Sequence, residues 1–171
     1  MPQLIAVLVE DLYQDLEVWY PIYRFREAGL KVLAVGNGKP AYTGKYGTSD
    51  QADKQISEVN PKDFAAVIIP GGWAPEKLRM SKPLLHFVRA MHEQGKVVAS
   101  ICHGGWVLAS AEIVKGKRVT SYEAIRDDLC HAGANFVDEE VVQDGNLITS
   151  RKPDDLPAFC RTILAALSVP A

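Results

Sequence analysis

Cys102 stands in the run Ala99-Ser100-Ile101-Cys102-His103-Gly104-Gly105, with small residues on both sides of a thiol and an imidazole. Residues 97–101 form a short apolar run, so the cysteine falls where a buried strand ends. A strand that turns at once into a helix needs small neighbours, because bulky side chains would clash at the elbow. The helix expected next, roughly His103 to Ala111, aims its free N–H groups and positive end at the sulfur. That arrangement favours thiolate over thiol. The chemistry this predicts is attack on a carbonyl carbon, or oxidation of the sulfur. A buried cysteine packing as a small hydrophobe is the competing role. The elbow and the adjacent histidine favour the reactive one.

A second loop belongs with the first. The apolar run Ala65 to Ile69 leads into Pro70-Gly71-Gly72. Successive glycines let backbone N–H groups turn into a concavity that binds an anion or a developing oxyanion. By itself this is an ordinary turn; beside Cys102 an oxyanion role gains weight. His103 is the best base or donor available, although neighbours on a helix point about 100° apart. His86 and His92 fall on a mainly solvent-facing helix, and His131 sits beside Cys130 by chance.

These loops need a scaffold, and the sequence describes one. Leu4 to Val9, Ala65 to Ile69 and Val97 to Ile101 are nearly continuous apolar runs, as in parallel strands covered on both faces. Lys31 to Val35 is a fourth, shorter strand. Between the first two runs lies a helix dominated by Leu16, Trp19, Tyr20, Tyr23 and Phe25, ending at Gly29; Pro21 predicts that it kinks or begins late. Leu84, Phe87, Val88 and Met91 mark another helix closed by Gly95. Asp155 is an expected N-cap for a final helix striped with Leu156, Phe159, Cys160, Ile163, Leu164 and Leu167. Tyr42 to Gln55 reads as a polar hairpin or flap, and Asp144-Gly145-Asn146 as a hairpin turn. The alternation of strands and helices predicts a doubly wound α/β sandwich, in which ligands bind beyond the carboxyl ends of the strands.

The whole-chain numbers set the class. With 171 residues and neither repeat nor linker, residues 1–171 read as a single domain. Net charge is −2 with 23% charged residues, which argues against nucleic-acid binding and gives no sign of a membrane-surface role. No apolar run approaches a bilayer span and the N-terminus lacks signal-peptide features, so a cytoplasmic location is expected. Three cysteines at 102, 130 and 160, with no C-x-x-C pair, argue against a disulfide framework or structural zinc. No spacing suggests a metal or an organic cofactor.

Four motifs in order along the chain resemble the PfpI family. They are Pro70-Gly71-Gly72-x-Ala74-Pro75-Glu76, Ala99-Ser100-Ile101-Cys102-His103-Gly104, Thr120-Ser121-Tyr122 and Ser150-Arg151-x-Pro153-x-Asp155-Leu156. This is the intracellular-protease branch of a superfamily that includes the parkinsonism-associated deglycase and class I glutamine amidotransferase domains. The resemblance implies a flavodoxin-like three-layer sandwich with a mainly parallel sheet and Cys102 as nucleophile. It implies that His103 is paired with Glu76 of a neighbouring subunit, in a homodimer or hexamer with the active site at the interface. Tyr122 corresponds to a residue lining the family's pocket. Activities in such proteins include peptidase, glyoxalase and deglycase, and a redox-stress role.

Two departures from the pattern stand out. The family has a glutamate shortly after the first strand, thought to be protonated and to donate a hydrogen bond to the thiolate. In Tyr13-Gln14-Asp15-Leu16-Glu17 the aligned position is Gln14, which can donate a hydrogen bond but cannot move a proton near neutrality. That places peptidase-like hydrolysis of peptides or small carbonyl substrates ahead of glyoxalase or deglycase chemistry. The second departure is Gly105-Trp106 where many relatives have proline, a change expected to reshape the pocket wall. The alternative reading is a redox sensor acting through Cys102, for which Cys130 and Cys160 offer no obvious resolving partner. A glutamine amidotransferase is set aside: it needs a late His-x-Glu pair, and the last histidine, His131, is followed by Ala132 and Gly133.

Overall fold

The computed structural model describes residues 3–170. The strands are β1 (Leu4–Leu8), β2 (Lys31–Gly36), β3 (Ala41–Thr43), β4 (Ser49–Gln51), β5 (Lys54–Gln55), β6 (Ala66–Ile69), β7 (Val97–Ile101), β8 (Arg118–Val119), β9 (Asn135–Phe136), β10 (Val141–Asp144) and β11 (Leu147–Ser150). The helices are α1 (Asp15–Glu27), α2 (Ala74–Leu78), α3 (Lys82–Glu93), α4 (Gly105–Ser110), α5 (Arg126–His131) and α6 (Leu156–Ala166). The central sheet runs in the order β10-β11-β7-β6-β1-β2-β5. Its pairings are parallel except β10 with β11. Helices α1 and α6 pack on one face, α3 and α4 on the other. This is the flavodoxin-like sandwich expected.

The apolar runs form the strands because burial on both faces suits them. Ile5 to Val9 and Ala66 to Ile69 are fully buried, each larger side chain contributing roughly 1.5–3 kcal/mol. The chain leaves β1 toward β2 on one side, then returns to build β6, β7 and β11 on the other. The direction reverses between β1 and β6, which opens the crevice at the carboxyl ends of those strands.

Several local expectations are refined. Helix α1 starts before Pro21 and runs through it, so it does not begin late. Its buried stripe is Val18, Pro21, Ile22 and Phe25, whereas Leu16, Tyr20 and Tyr23 are exposed. Asp155 precedes α6 but does not cap it. Its carboxylate is taken instead by Arg151, whose Nε and Nη2 donate to it at 2.9 and 3.1 Å. The Tyr42–Gln55 segment contains the hairpin β3–β4, and the turn at Asp144-Gly145-Asn146 joins β10 to β11. Among the described residues no helix is long and apolar enough to cross a membrane.

Candidate active site

Three loops meet at the crevice. The stretch after β1 brings Gln14 and Glu17, the loop after β6 brings Gly71 and Gly72, and the turn after β7 brings Cys102 and His103. The elbow is real: Cys102 has φ +60°, a left-handed conformation that costs a residue with a Cβ roughly 1 kcal/mol or more. Gly104 permits the turn, because a Cβ there would lie 2.6 Å from the Ile69 carbonyl oxygen.

Glu17, which the sequence reading passed over, is fully buried against the thiol. Gly71 N–H donates to its Oε2 at 2.6 Å. The approach is so close that a Cβ on Gly71 would lie 2.6 Å from that oxygen and 2.7 Å from Cys102 Cβ. The carboxyl position of the family pattern is therefore filled by Glu17, and Gln14 does not replace it. Gln14 begins α1, its side-chain oxygen accepting from Leu16 N–H at 2.7 Å, and it only lines the cavity. Residue spacing along the loop does not decide which side chain reaches the thiol; the phase of the helix does. A helix starting at Asp15 turns position 17 inward, onto the stripe shared with Val18 and Pro21.

The Gly-Gly loop is also reassigned in part. Gly71 N–H is committed to Glu17, leaving Gly72 N–H and His103 N–H as the backbone donors directed at the Cys102 sulfur. Both favour thiolate, as the elbow predicted. Burial and the negative charge of Glu17 outweigh them and push the thiol up to about 12. Burial and Glu17 thus oppose the thiolate that the helix end was expected to favour. Burial also pushes Glu17 up to about 7, against the pull of the Gly71 N–H and the Cys102 side chain. Two buried negative charges in contact are disfavoured. When Glu17 is protonated, the charge opposing sulfur ionisation is gone.

His103 does face the sulfur, with Nδ1 3.3 Å from Sγ. Its ring stacks on Tyr122 (5.0 Å between centroids, 27°), meets the edge of Trp106 at 5.2 Å and lies 5.8 Å from Trp73. Burial, then the charge of Lys45, lowers its pKa. Glu76 is exposed on α2 and makes no hydrogen bond to His103 within this chain. Trp106 backs His103 and does not line the cavity, its Nε1 donating to Asp128 at 2.7 Å. Cys130 on α5 is exposed and Cys160 on α6 is buried, both free thiols on helices apart from the site. The cavity over Cys102 holds about 350 Å³ and also takes in Lys45, Trp73 and Lys152, which the sequence reading did not name. Among the described residues no cluster of His, Cys, Asp or Glu could hold a metal ion.

Comparison with known proteins gives one answer. The model of the DJ-1/PfpI family matches residues 3–166. Deglycase PfpI of Pyrococcus furiosus is 42% identical over 163 residues, covering 95% of this chain and 98% of that protein. YraA of Bacillus subtilis, named as a candidate cysteine protease, is 46% identical over 169 residues, covering 98% and 99%. A crystal structure from Anabaena variabilis, a two-domain protein with DJ-1/ThiJ/PfpI-like and ferritin-like domains, superposes with a TM-score of 0.94 at 40% identity. The match covers 99% of this chain and half of that one.

Proposed function

This chain belongs to the DJ-1/PfpI family, and from that premise we propose a cysteine-dependent enzyme that removes small-carbonyl adducts from amines, a deglycase and not a peptidase. The observation that carries the reading is the buried Glu17 carboxyl against the Cys102 thiol. The case for a peptidase rested on an amide at that position, and Glu17 removes it. A side chain that gains and loses a proton near pH 7 suits chemistry in which a hydrogen changes carbons.

Cys102 Sγ displaces the amine at the aminocarbinol carbon: a C–S bond forms, the C–N bond breaks, and the amine leaves with the Glu17 proton. The Glu17 carboxylate then lifts the hydrogen from that carbon and returns it to the neighbouring ketone carbon, while the hydroxyl proton passes to the ketone oxygen, so the hemithioacetal becomes a thioester. One water adds to the thioester carbonyl: a C–O bond forms, the C–S bond breaks to free the sulfur, Glu17 regains its proton, and the three-carbon unit departs as a hydroxy acid. The internal hydrogen shift balances the electrons, so no oxidant is needed. Gly72 N–H and His103 N–H stand near the sulfur, where an oxyanion would develop. The small cavity supports compact substrates over an extended peptide. Glu76, exposed on α2, remains available to the His103 of a second copy.

The test uses N-acetyl-lysine carrying a fresh methylglyoxal adduct, with free methylglyoxal scavenged so that adduct reversal is not scored. Wild type should release amine and lactate in equal amounts; Cys102→Ala should release neither. Glu17→Gln should lower turnover by about 10²–10⁴-fold, the usual loss of a proton-transfer group. Unaltered turnover in Cys102→Ala, or preferential cleavage of short peptides by wild type, would overturn the assignment.

A further inference from the structure

We propose that the cavity selects carbonyl compounds that carry a carboxylate, with Lys45 as the residue that recognises it and Lys152, in the same lining, assisting. The proposal deepens the reading above, resting on it for the reaction but not for the binding.

The cavity's charge is lopsided. Its lining holds Lys45 and Lys152 against a single carboxyl, Glu17, whose charge is spent inside the thiol–carboxyl pair. Such an excess of cations is local, since the chain as a whole is slightly acidic at net −2. Ion pairing takes up many of the other surface cations: Lys39 with Asp11, Arg89 with Glu112, Lys117 with Asp144 and Arg151 with Asp155. Lys45 has no carboxylate partner among the described residues. Its Nζ lies instead 5.5 Å from the Tyr46 ring centre and 5.7 Å from that of Trp73. Lysine stems that rest on aromatic faces keep their charge and lose little freedom on binding an anion. Lys152 has one ion pair, with exposed Asp154 at 3.8 Å, a contact of small worth.

The backbone beneath Lys45 is fixed. It occupies the turn between β3 and β4, where its own N–H donates to Tyr13 carbonyl oxygen at 2.8 Å. Asp15 accepts from the N–H groups of Tyr46 and Thr48 at 2.8 and 2.9 Å. Asp15 is two residues from Glu17, so one short segment sets both the proton-transfer group and the cation. The Lys45 charge pulls down on the pKa of Glu17, against the larger upward push of burial, and on that of His103, which places it within electrostatic reach of both side chains beside the thiol.

The experiment compares two alkylating agents of similar size, iodoacetate with a carboxylate and iodoacetamide with a neutral carboxamide in its place, as probes of Cys102. The readout is the ratio of their second-order rate constants, measured by intact mass. The ratio cancels any general change in thiol reactivity. Lys45→Met should lower the iodoacetate-to-iodoacetamide ratio about tenfold, the scale of one charged contact. Lys45→Arg should retain it, Lys152→Met should lower it less, and added salt should erode the wild-type ratio. If Lys45→Met slows both reagents equally, the lysine only tunes the thiol and the proposal fails; an unchanged ratio also refutes it. Because alkylation needs no turnover, failure of the deglycase reading leaves this result intact, and the reverse holds equally.

Discussion

Glu17 keeps its proton because its carboxyl is walled off from water and faces a sulfur that competes for negative charge. The folded value of about 7 lies above the 4.5 of an ordinary glutamate. Between those values the folded chain holds a proton that the unfolded chain has released. The stability due to the neutral carboxyl is therefore complete below about pH 4.5 and lost as pH rises through about 7. The full swing is about 3 kcal/mol. Urea unfolding of wild type and Glu17→Gln at pH 5 and pH 8 should show wild type losing up to that amount relative to the variant, which has nothing to titrate there. Parallel stability curves would remove the claim that this group is neutral in the folded state. Such a neutral acid beside a thiol is also the condition under which the sulfur can carry the pair's single charge.

At the scale of elements, the short hairpin β3–β4 would be a loose flap without Asp15. That side chain holds the turn through two backbone N–H groups and the Thr48 hydroxyl. Asp15→Ala should cost about 2 kcal/mol, the worth of one or two charge-assisted bonds, and free residues 44–48. Trypsin cleavage after Lys45 should then accelerate at least tenfold under native conditions; an unchanged digestion rate would mean the turn holds itself. The sequence made the long elements legible because burial on two faces leaves unbroken apolar runs, as in Leu4 to Val9 and Val97 to Ile101. Two-residue strands such as β5, β8 and β9 leave no such trace. Cys102, His103 and Gly72 were legible from the elbow and the glycine pair. Glu17 was not, because its meaning depends on where α1 begins: started at Asp15, the helix puts an acid on its inward stripe, and that misplaced charge was the available signal. Lys45 lay in a polar segment without periodicity, and only the folded hairpin brings it to the cavity.

Across the whole molecule, one ion-pair cluster ties the far edge of the sheet to the helical layer. Arg151, just after β11, donates to buried Asp155 and also to Asp138 at 2.9 Å. Removing the buried carboxylate leaves the guanidinium with exposed Asp138 alone, so Asp155→Ala should destabilise the fold by about 1–3 kcal/mol. The alkylation rate of Cys102 below the unfolding transition should stay at the wild-type value, since the pair lies outside the thiol's contacts; a large change would show the two regions coupled. The wide dispersal of the active-site residues has a further result. Glu17, Gly72 and Cys102 come from the segments that follow three different strands, united only once β1, β6 and β7 lie side by side. The thiol–carboxyl pair therefore does not exist in a growing chain until synthesis has passed Cys102 and the three strands have come together.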